Sequence, residues 1–311
     1  MSTKRFEEAQ GRFLAAHGIG HTRTRWLEVD LGAKVRTQVL ELGSGEPVVM
    51  VHGGGGAAVG WAPLMSRLEG VRLLAPDRPG GGGSDGFDYR GVDLQRHAVA
   101  WLAQVLDALE LESATFVANS MGARWTTWFA LEHPSRVRGI AALGIPAFLL
   151  DTAAPFPLRL MGKEPIGRMM MALDPPGPTQ ARRLWKMMGH PDAAITPELV
   201  EVTAALGAAP SFPRTFRSLL GACLRLSGGA PGMSIDAAQL ARLSMPIVFG
   251  VSASDPFGAL EVAEAAAELA PDATTAVAGI GHLPWLDDPD AYAEIVRALI
   301  ARADRAVSHA A

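Results

Sequence analysis

A single cysteine, Cys223, among 311 residues excludes an internal disulfide, so the fold does not depend on an oxidising compartment. Charge is sparse as well: 19% of residues are Asp, Glu, Lys or Arg, and the formal net charge is −4 with no block of one sign. A nucleic-acid binder needs a basic face to neutralise phosphates, and this chain carries none. Long apolar runs are missing too. The most apolar stretch, Gly139 to Leu150, is about a dozen residues and contains Pro146, against roughly 20 needed to span a bilayer. The opening MSTKRFEEAQGRF is charged and lacks the apolar segment of an export signal. These absences predict a soluble, cytoplasmic protein with neither nucleic acid nor membrane as partner.

What is present is core material. Hydrophobic residues make up 49% of the chain and mean hydropathy is +0.16, which excludes a disordered polymer. Short β-branched runs alternate with longer helical patterns, the mark of a mostly parallel sheet covered by helices. Strands are expected at Arg25–Leu31, Val35–Leu42, Pro47–Val51, Val71–Ala75, Ala114–Ala118, Val137–Leu143, Pro246–Val251 and Thr274–Ala278. The first two form an antiparallel pair turning at Gly32-Ala33. Helices are expected at Trp61–Leu68, Val92–Leu109, Met121–Glu132, Ala259–Leu269 and Asp290–Arg302. The alternation stops after Pro146. From there short helical patterns, Pro155–Ala172, Thr179–Met188, Pro197–Leu206 and Phe212–Leu224, are separated by Pro and Gly. This stretch holds seven of the twelve methionines (Met161, Met169, Met170, Met171, Met187, Met188 and Met233). Met adapts to varied apolar shapes, so a helical lid over an apolar pocket is expected. The chain therefore divides into an α/β core of residues 24–146 and 241–311, a helical cap of 147–240, and an N-terminal extension of 1–23.

One strand-to-helix junction is suited to chemistry. At Ala118-Asn119-Ser120-Met121-Gly122 a strand enters a tight turn and a helix leaves it, with small residues two positions either side of the serine. The usual pattern is G-x-S-x-G, with Ala118 here in place of the first glycine. A nucleophilic serine needs a base, and the base an orienting acid. His282 and Asp255 each follow a strand, in Gly-Ile-Gly-His and Ser-Ala-Ser-Asp-Pro, so all three lie at strand carboxyl ends, where open α/β sheets bind ligands. His97 and His133 fall within helical patterns, His17 and His21 lie near the start, and His190 precedes a proline in the lid. Asp151 ranks well below Asp255 as the acid because it lies several residues beyond its strand.

The glycine run His52-Gly53-Gly54-Gly55-Gly56 follows another strand and can aim backbone N–H groups into a site, as an oxyanion hole requires. A Walker A loop fails for want of Lys. A dinucleotide fingerprint is a closer rival: Gly53, Gly55 and Ala58 fit G-x-G-x-x-A, with Asp77 as the acidic residue beyond. That reading leaves the serine turn, Asp255 and His282 unexplained.

Together these residues resemble those of the α/β-hydrolases, from about Trp26 to Arg302. The oxyanion loop at His52-Gly53-Gly54, the Asp77-Arg78-Pro79-Gly80-Gly81-Gly82-Gly83-Ser84 loop, the elbow at Ser120, the acid Asp255 and the base His282 stand in the family's order. The resemblance implies an eight-stranded α/β-hydrolase fold with an inserted cap. It implies a Ser120-His282-Asp255 triad and an oxyanion hole of the Met121 backbone N–H and that of Gly54, or alternatively Gly53. Serine at the elbow argues against the branches that use Asp there. HGGGGAAVGW and ANSMGARWTTWFALEHPSR are similar to segments of meta-cleavage-product hydrolases, which split C–C bonds, but those typically carry Trp after the catalytic His, where Leu283 stands.

The leading expectation is hydrolysis of a small, fairly apolar carboxylic ester through an acyl-enzyme, with no metal or organic cofactor. The alternatives are C–C hydrolysis and a slow-turnover ligand receptor. Substrate contacts are expected from Gly53, Asn119, Trp185, Leu283 and Trp285. Asp77 and Arg78 are expected to brace their loop, and Cys223 to be a buried lid residue. The partner is a small-molecule substrate, and a homodimer is compatible with the sequence.

Overall fold

The computed structural model describes residues 3–310; Met1, Ser2 and Ala311, at the outer ends of the expected extension and core, lie outside them. Ten strands are formed: β1 (Arg23–Asp30), β2 (Lys34–Gly43), β3 (Glu46–Val51), β4 (Val71–Pro76), β5 (Ala114–Ala118), β6 (Val137–Leu143), β7 (Leu224–Arg225), β8 (Gly228–Gly229), β9 (Ile247–Val251) and β10 (Ala273–Val277). Eight of them make one sheet in the order β1-β2-β4-β3-β5-β6-β9-β10. The β1–β2 and β2–β4 pairs are antiparallel, and from β4 to β10 all neighbours are parallel. The short pair β7–β8 stands apart.

Burial follows from position in the sheet. On edge strand β1, Leu27 and Val29 are buried between exposed Glu28 and Asp30, the period-2 pattern of a half-buried strand. Central β3 and β5 are covered on both faces, so Val48–Val51 and all of Ala114–Ala118 are buried, as parallel strands require. Alternation along β3 sends Val49 and Val51 into one apolar core and Val48 and Met50 into another. The two cores thus lie on opposite faces of the sheet.

The helices are α1 (Thr3–Ala16), α2 (Ala62–Met65), α3 (Leu94–Ala108), α4 (Met121–Glu132), α5 (Phe156–Met161), α6 (Ile166–Leu173), α7 (Pro178–Met187), α8 (Pro197–Gly207), α9 (Phe212–Cys223), α10 (Ala237–Leu240), α11 (Leu260–Leu269) and α12 (Pro289–Ala310). Asp93 caps α3 by accepting from the Arg96 amide, and Thr196 caps α8 by accepting from Leu199. Helices α5–α10 all fall between β6 and β9.

Three expected spans need correction, and one helix is unexpected. The pattern Pro155–Ala172 forms two helices, because Pro165 lacks an N–H and disfavours helix at the residue before it. Trp61–Leu68 forms instead a 3₁₀ turn at Ala58–Trp61 followed by the single turn α2. The last helix continues past Arg302 to Ala310, since no Gly or Pro stops it. The N-terminal stretch 1–23, for which no helix is expected, contains α1, which buries Phe6, Ala9 and Phe13 at i, i+3 and i+7.

Candidate active site

Ser120 stands between β5 and α4 with φ 51° and ψ −115°, a conformation an L-residue adopts only when its surroundings enforce it. The enforcement is visible. The Asn119 amide donates to the Val51 carbonyl across the β3–β5 step, and the Gly122 amide donates back to Asn119. A Cβ on Gly122 would sit 2.1 Å from the Val51 oxygen, so only glycine fits. The other small position, Ala118, is fully buried in β5 and tolerates its methyl.

Asp255 follows β9. Its carboxylate is buried and accepts N–H bonds from Ile145 (2.8 Å) and Phe257 (2.8 Å), and it lies 2.9 and 3.0 Å from His282 Nδ1. An ionised carboxylate can only accept, so Nδ1 carries the proton and Nε2 presents its lone pair. That Nε2 is buried and has no hydrogen-bond partner among the described residues. The Phe257 ring stacks on the imidazole at 4.0 Å. The backbone of the loop is held by His282 N–H donating to Met188 O (2.9 Å) and Ser252 Oγ donating to Gly281 O (2.8 Å). Ser120 and His282 both line one cavity of about 670 Å³.

The glycine loop after β3 packs directly on the serine turn. A Cβ on Gly53 would meet Asn119 Oδ1 at 2.6 Å and Ser120 Cβ at 3.3 Å. Arg78 holds the loop's carbonyls: Nε donates to His52 O (3.1 Å), and Nη2 to Gly53 O (2.6 Å) and Gly54 O (2.9 Å). With the carbonyls so held, the Gly54 and Met121 amides donate to nothing among the described residues. His52 accepts from the Arg78 amide at Nε2 (3.0 Å), which puts its proton on Nδ1, toward Gly53 O (2.9 Å). Burial and the nearby guanidinium hold its pKa well below the usual imidazole range. Asp77 is fully buried and accepts from the Ala58 (2.6 Å) and Gly83 (2.9 Å) amides; burial pushes its pKa up to about 6. Both oxygens are therefore committed to the chain, which removes the ribose ligand that a dinucleotide site would need. Asp77 and Arg78 brace the loop.

The remaining sequence candidates divide. Gly53, Asn119, Trp185, Leu283 and Trp285 all line the cavity. Asn119 Nδ2, however, is taken by Leu143 O (2.7 Å) and His282 O (3.2 Å), so the amide ties the elbow to the histidine loop. Trp185 Nε1 donates to Thr203 Oγ1 and Trp285 Nε1 to Gly60 O, leaving apolar ring faces for the cavity. Cys223 lines the cavity but is buried, which pushes its thiol up to about 12. Asp151 is exposed at φ 64° and takes no part in the His282 pair. Among the described residues no cluster of His, Cys, Asp or Glu could hold a metal ion, and no helix is long and apolar enough to cross a membrane.

One neighbour went unread in the sequence. His190, just after α7, folds against the histidine loop: the Leu283 amide donates to its Nε2 (3.3 Å), and its Nδ1 faces Asp287 at 3.0 Å. A histidine before Pro191 gives no hint of this contact, which crosses 93 residues of chain.

The α/β-hydrolase fold family matches residues 46–164, the stretch that carries the glycine loop and the serine elbow. The chain has the α/β-hydrolase fold. It is 30% identical over 198 residues to the 2-hydroxy-6-oxo-2,4-heptadienoate hydrolase of Pseudomonas putida, covering 61% of this chain and 65% of that relative, just under two thirds of its length. Among solved structures it is similar to carboxylesterase CesB of Bacillus subtilis, with a TM-score of 0.75, 18% identity and coverage of 96% and 98% of the two chains. A variant of the meta-cleavage product hydrolase CumD gives a TM-score of 0.70 at 21% identity, covering 89% and 97%. At these identities the solved structures speak for the fold.

Proposed function

We propose that this α/β-hydrolase is a serine hydrolase that cleaves a neutral, apolar carboxylic ester. The observation that carries the reading is the polarised His282: Nδ1 is bound by a buried carboxylate, while Nε2 is buried, unpartnered and in the wall of the cavity that Ser120 lines. His282 takes the Ser120 proton as the hydroxyl attacks the carbonyl carbon, and Asp255 stabilises the imidazolium without itself taking the proton. The tetrahedral oxyanion is bound by the free amides of Gly54 and Met121. Donors aimed at developing charge are worth about 10²–10³ in rate each where one has been removed. His282 then protonates the leaving alcohol, and the acyl-enzyme is hydrolysed by the same steps with water as nucleophile. Residues 147–240 act as the cap that closes the cavity over the ester.

The wall's charges favour an ester over a ring-cleavage product. The relative's substrate, by its name, is a carboxylate. Burying a carboxylate without a cation is costly. The cations in this cavity's wall are Arg183 and Lys186, both exposed, with Arg183 paired to Asp174 and Lys186 to Asp192. Away from the Ser120–His282 end, the rest of the lining is mostly apolar side chains and glycine backbone, with Thr152, Asp174, Gln180 and Thr203 as its uncharged or acidic polar groups. The C–C reading is kept alive by the 30% identity to that relative.

The test compares wild type with Ser120→Ala on p-nitrophenyl esters of increasing acyl length and on a yellow ring-cleavage product. Ester turnover lost in Ser120→Ala is the expected result. Equal turnover in the two proteins refutes Ser120 as nucleophile. Faster decay of the ring-cleavage product than of any ester transfers the assignment to C–C hydrolysis.

A further inference from the structure

The cavity is walled by both apolar cores. On one side stand Phe148, Leu220, Cys223 and Leu224, from the core that holds Val49 and Val51. On the other stand Val59, Trp61, Leu199, Val202 and Leu206, from the core that holds Val48 and Met50. Phe216 packs against both cores, and its ring would lie 3.1 Å from a Cβ on Gly55. The second wall is completed by a residue from outside both the sheet and the cap: Phe6 of α1, 2% exposed, lines the cavity.

Helix α1 is fixed at that place from two directions. Gln10 Oε1 accepts from Gln38 Nε2 of β2 (3.1 Å) in a buried bond. The Arg12 guanidinium grips Glu201 of α8 with two bonds, 3.0 Å from Nε and 2.7 Å from Nη2. Parallel, in-plane donation of this kind fixes geometry as well as charge. The helix therefore spans the sheet and the cap, and Phe6 sits within its first turns.

We infer that Phe6 is a specificity-determining residue: α1 closes an apolar arm of the cavity, and the Phe6 ring sets how long a hydrocarbon group that arm accepts. This rests on the ester reading for its activity assay, though not for its binding assay. The chemical class that fits is an ester with an uncharged hydrocarbon on each side of the scissile carbonyl. Thr203 of α8, a polar side chain in the lining, already accepts from Trp185. Filling the arm contributes about fourfold in affinity per buried methylene.

Two ester series test it, one varying the acyl chain at constant p-nitrophenol and one varying the alcohol at constant acetate. They are run on wild type, Phe6→Ala, Phe6→Leu and Phe6→Trp. In Phe6→Ala the preferred length in one series moves up by about two methylenes, raising the long-to-short ratio of kcat/KM about 15-fold, with a smaller rise in Phe6→Leu. Phe6→Trp moves it down. The series that responds identifies which side of the carbonyl the arm holds. In a Ser120→Ala background, 1-octanol and 1-dodecanol are titrated by quenching of tryptophan fluorescence, since Trp61, Trp185 and Trp285 line the same wall. The dodecanol-to-octanol affinity ratio rises when Phe6 is Ala or Leu. If no ester is turned over but this ratio shifts, the ester reading fails and the role of Phe6 stands. Length profiles and alcohol ratios equal across all folded variants overturn it. Phe6→Leu keeps the site buried and serves where Phe6→Ala does not fold, as judged by circular dichroism.

Discussion

Asp255→Asn is the sharpest probe of the His282 pair, because the geometry fixes how the substitution must fail. Asp255 Oδ1 lies 2.8 Å from the Phe257 amide and 3.0 Å from His282 Nδ1. Oδ2 lies 2.8 Å from the Ile145 amide and 2.9 Å from the same Nδ1. Each oxygen thus faces a backbone donor, so whichever position the new NH₂ takes, it meets an N–H head-on. One buried amide loses its acceptor, at about 1–3 kcal/mol of stability. The NH₂ also offers Nδ1 a donor in place of one acceptor, which favours the tautomer with the imidazole proton on Nε2. In the proposed mechanism Nε2 receives the Ser120 proton, so in that tautomer the base is blocked at every pH. Loss of the tautomer is worth roughly 10⁴ in kcat where it has been isolated in another serine hydrolase, about 5.5 kcal/mol of barrier. The assay is kcat for the best p-nitrophenyl ester from pH 6 to 9, beside urea unfolding of the same protein. We expect a loss of 10³ or more that high pH does not restore, with the unfolding free energy lowered by about 1–3 kcal/mol. A loss under tenfold, or full recovery at high pH, would refute the assignment of Asp255 as the orienting acid.

Three further substitutions probe the frame around the site. Gly53→Ala puts a methyl 2.6 Å from Asn119 Oδ1 and 3.3 Å from Ser120 Cβ, so it should lower kcat at least tenfold, with melting showing that the protein is folded; unchanged kcat would mean the loop does not abut the reacting atoms. Arg78→Lys replaces a fork serving three carbonyls with a single ammonium, and kcat should fall by about 10² with KM little changed, whereas a rise in KM alone would count against a role in setting the Gly54 amide. Asp77 has its folded pKa raised from 3.8 to about 6, so the folded state binds the extra proton between those values and stability falls as pH rises through the window, by up to about 3 kcal/mol. Urea unfolding at pH 3.5 and 7.5 should therefore show Asp77→Asn relatively more stable at the higher pH, and an equal difference at both would remove Asp77 as the source.

The sheet was legible because its signals are local. Strands Ala114–Ala118 and Val137–Leu143 coincide with the expected spans, since continuous β-branched and small apolar runs bounded by turn residues admit one reading at that length. The elbow was legible for a related reason: a strained serine at φ 51° needs small neighbours, and Gly122 can be nothing else beside the Val51 oxygen. Helix α1 carried a clear helical period in Phe6, Ala9 and Phe13, but with Arg5, Glu7, Glu8 and Arg12 around it the apolar stripe is narrow. A stripe of that width reads as a surface segment unless its partner is known. The partner is α8, nearly two hundred positions away, and Arg12 meets Glu201 only once both helices are docked.

His190 marks the limit of such reading in another way. Its protonation pattern is set by two contacts that no local pattern encodes: the Leu283 amide donates to Nε2, so the remaining proton must sit on Nδ1, facing Asp287. Met188, two residues earlier, accepts from the His282 amide, so the turn after α7 holds the backbone of both His282 and Leu283. Gly189 permits the approach: at φ 86°, a Cβ there would lie 3.0 Å from Gly281. A displaced α7 would therefore release the backbone amides of His282 and Leu283 at once, and the turn after α7 and the histidine loop are seated by the same bonds. In the sequence the turn after α7 and the His282 loop look unconnected; in the fold the first supplies the acceptors for two successive amides of the second.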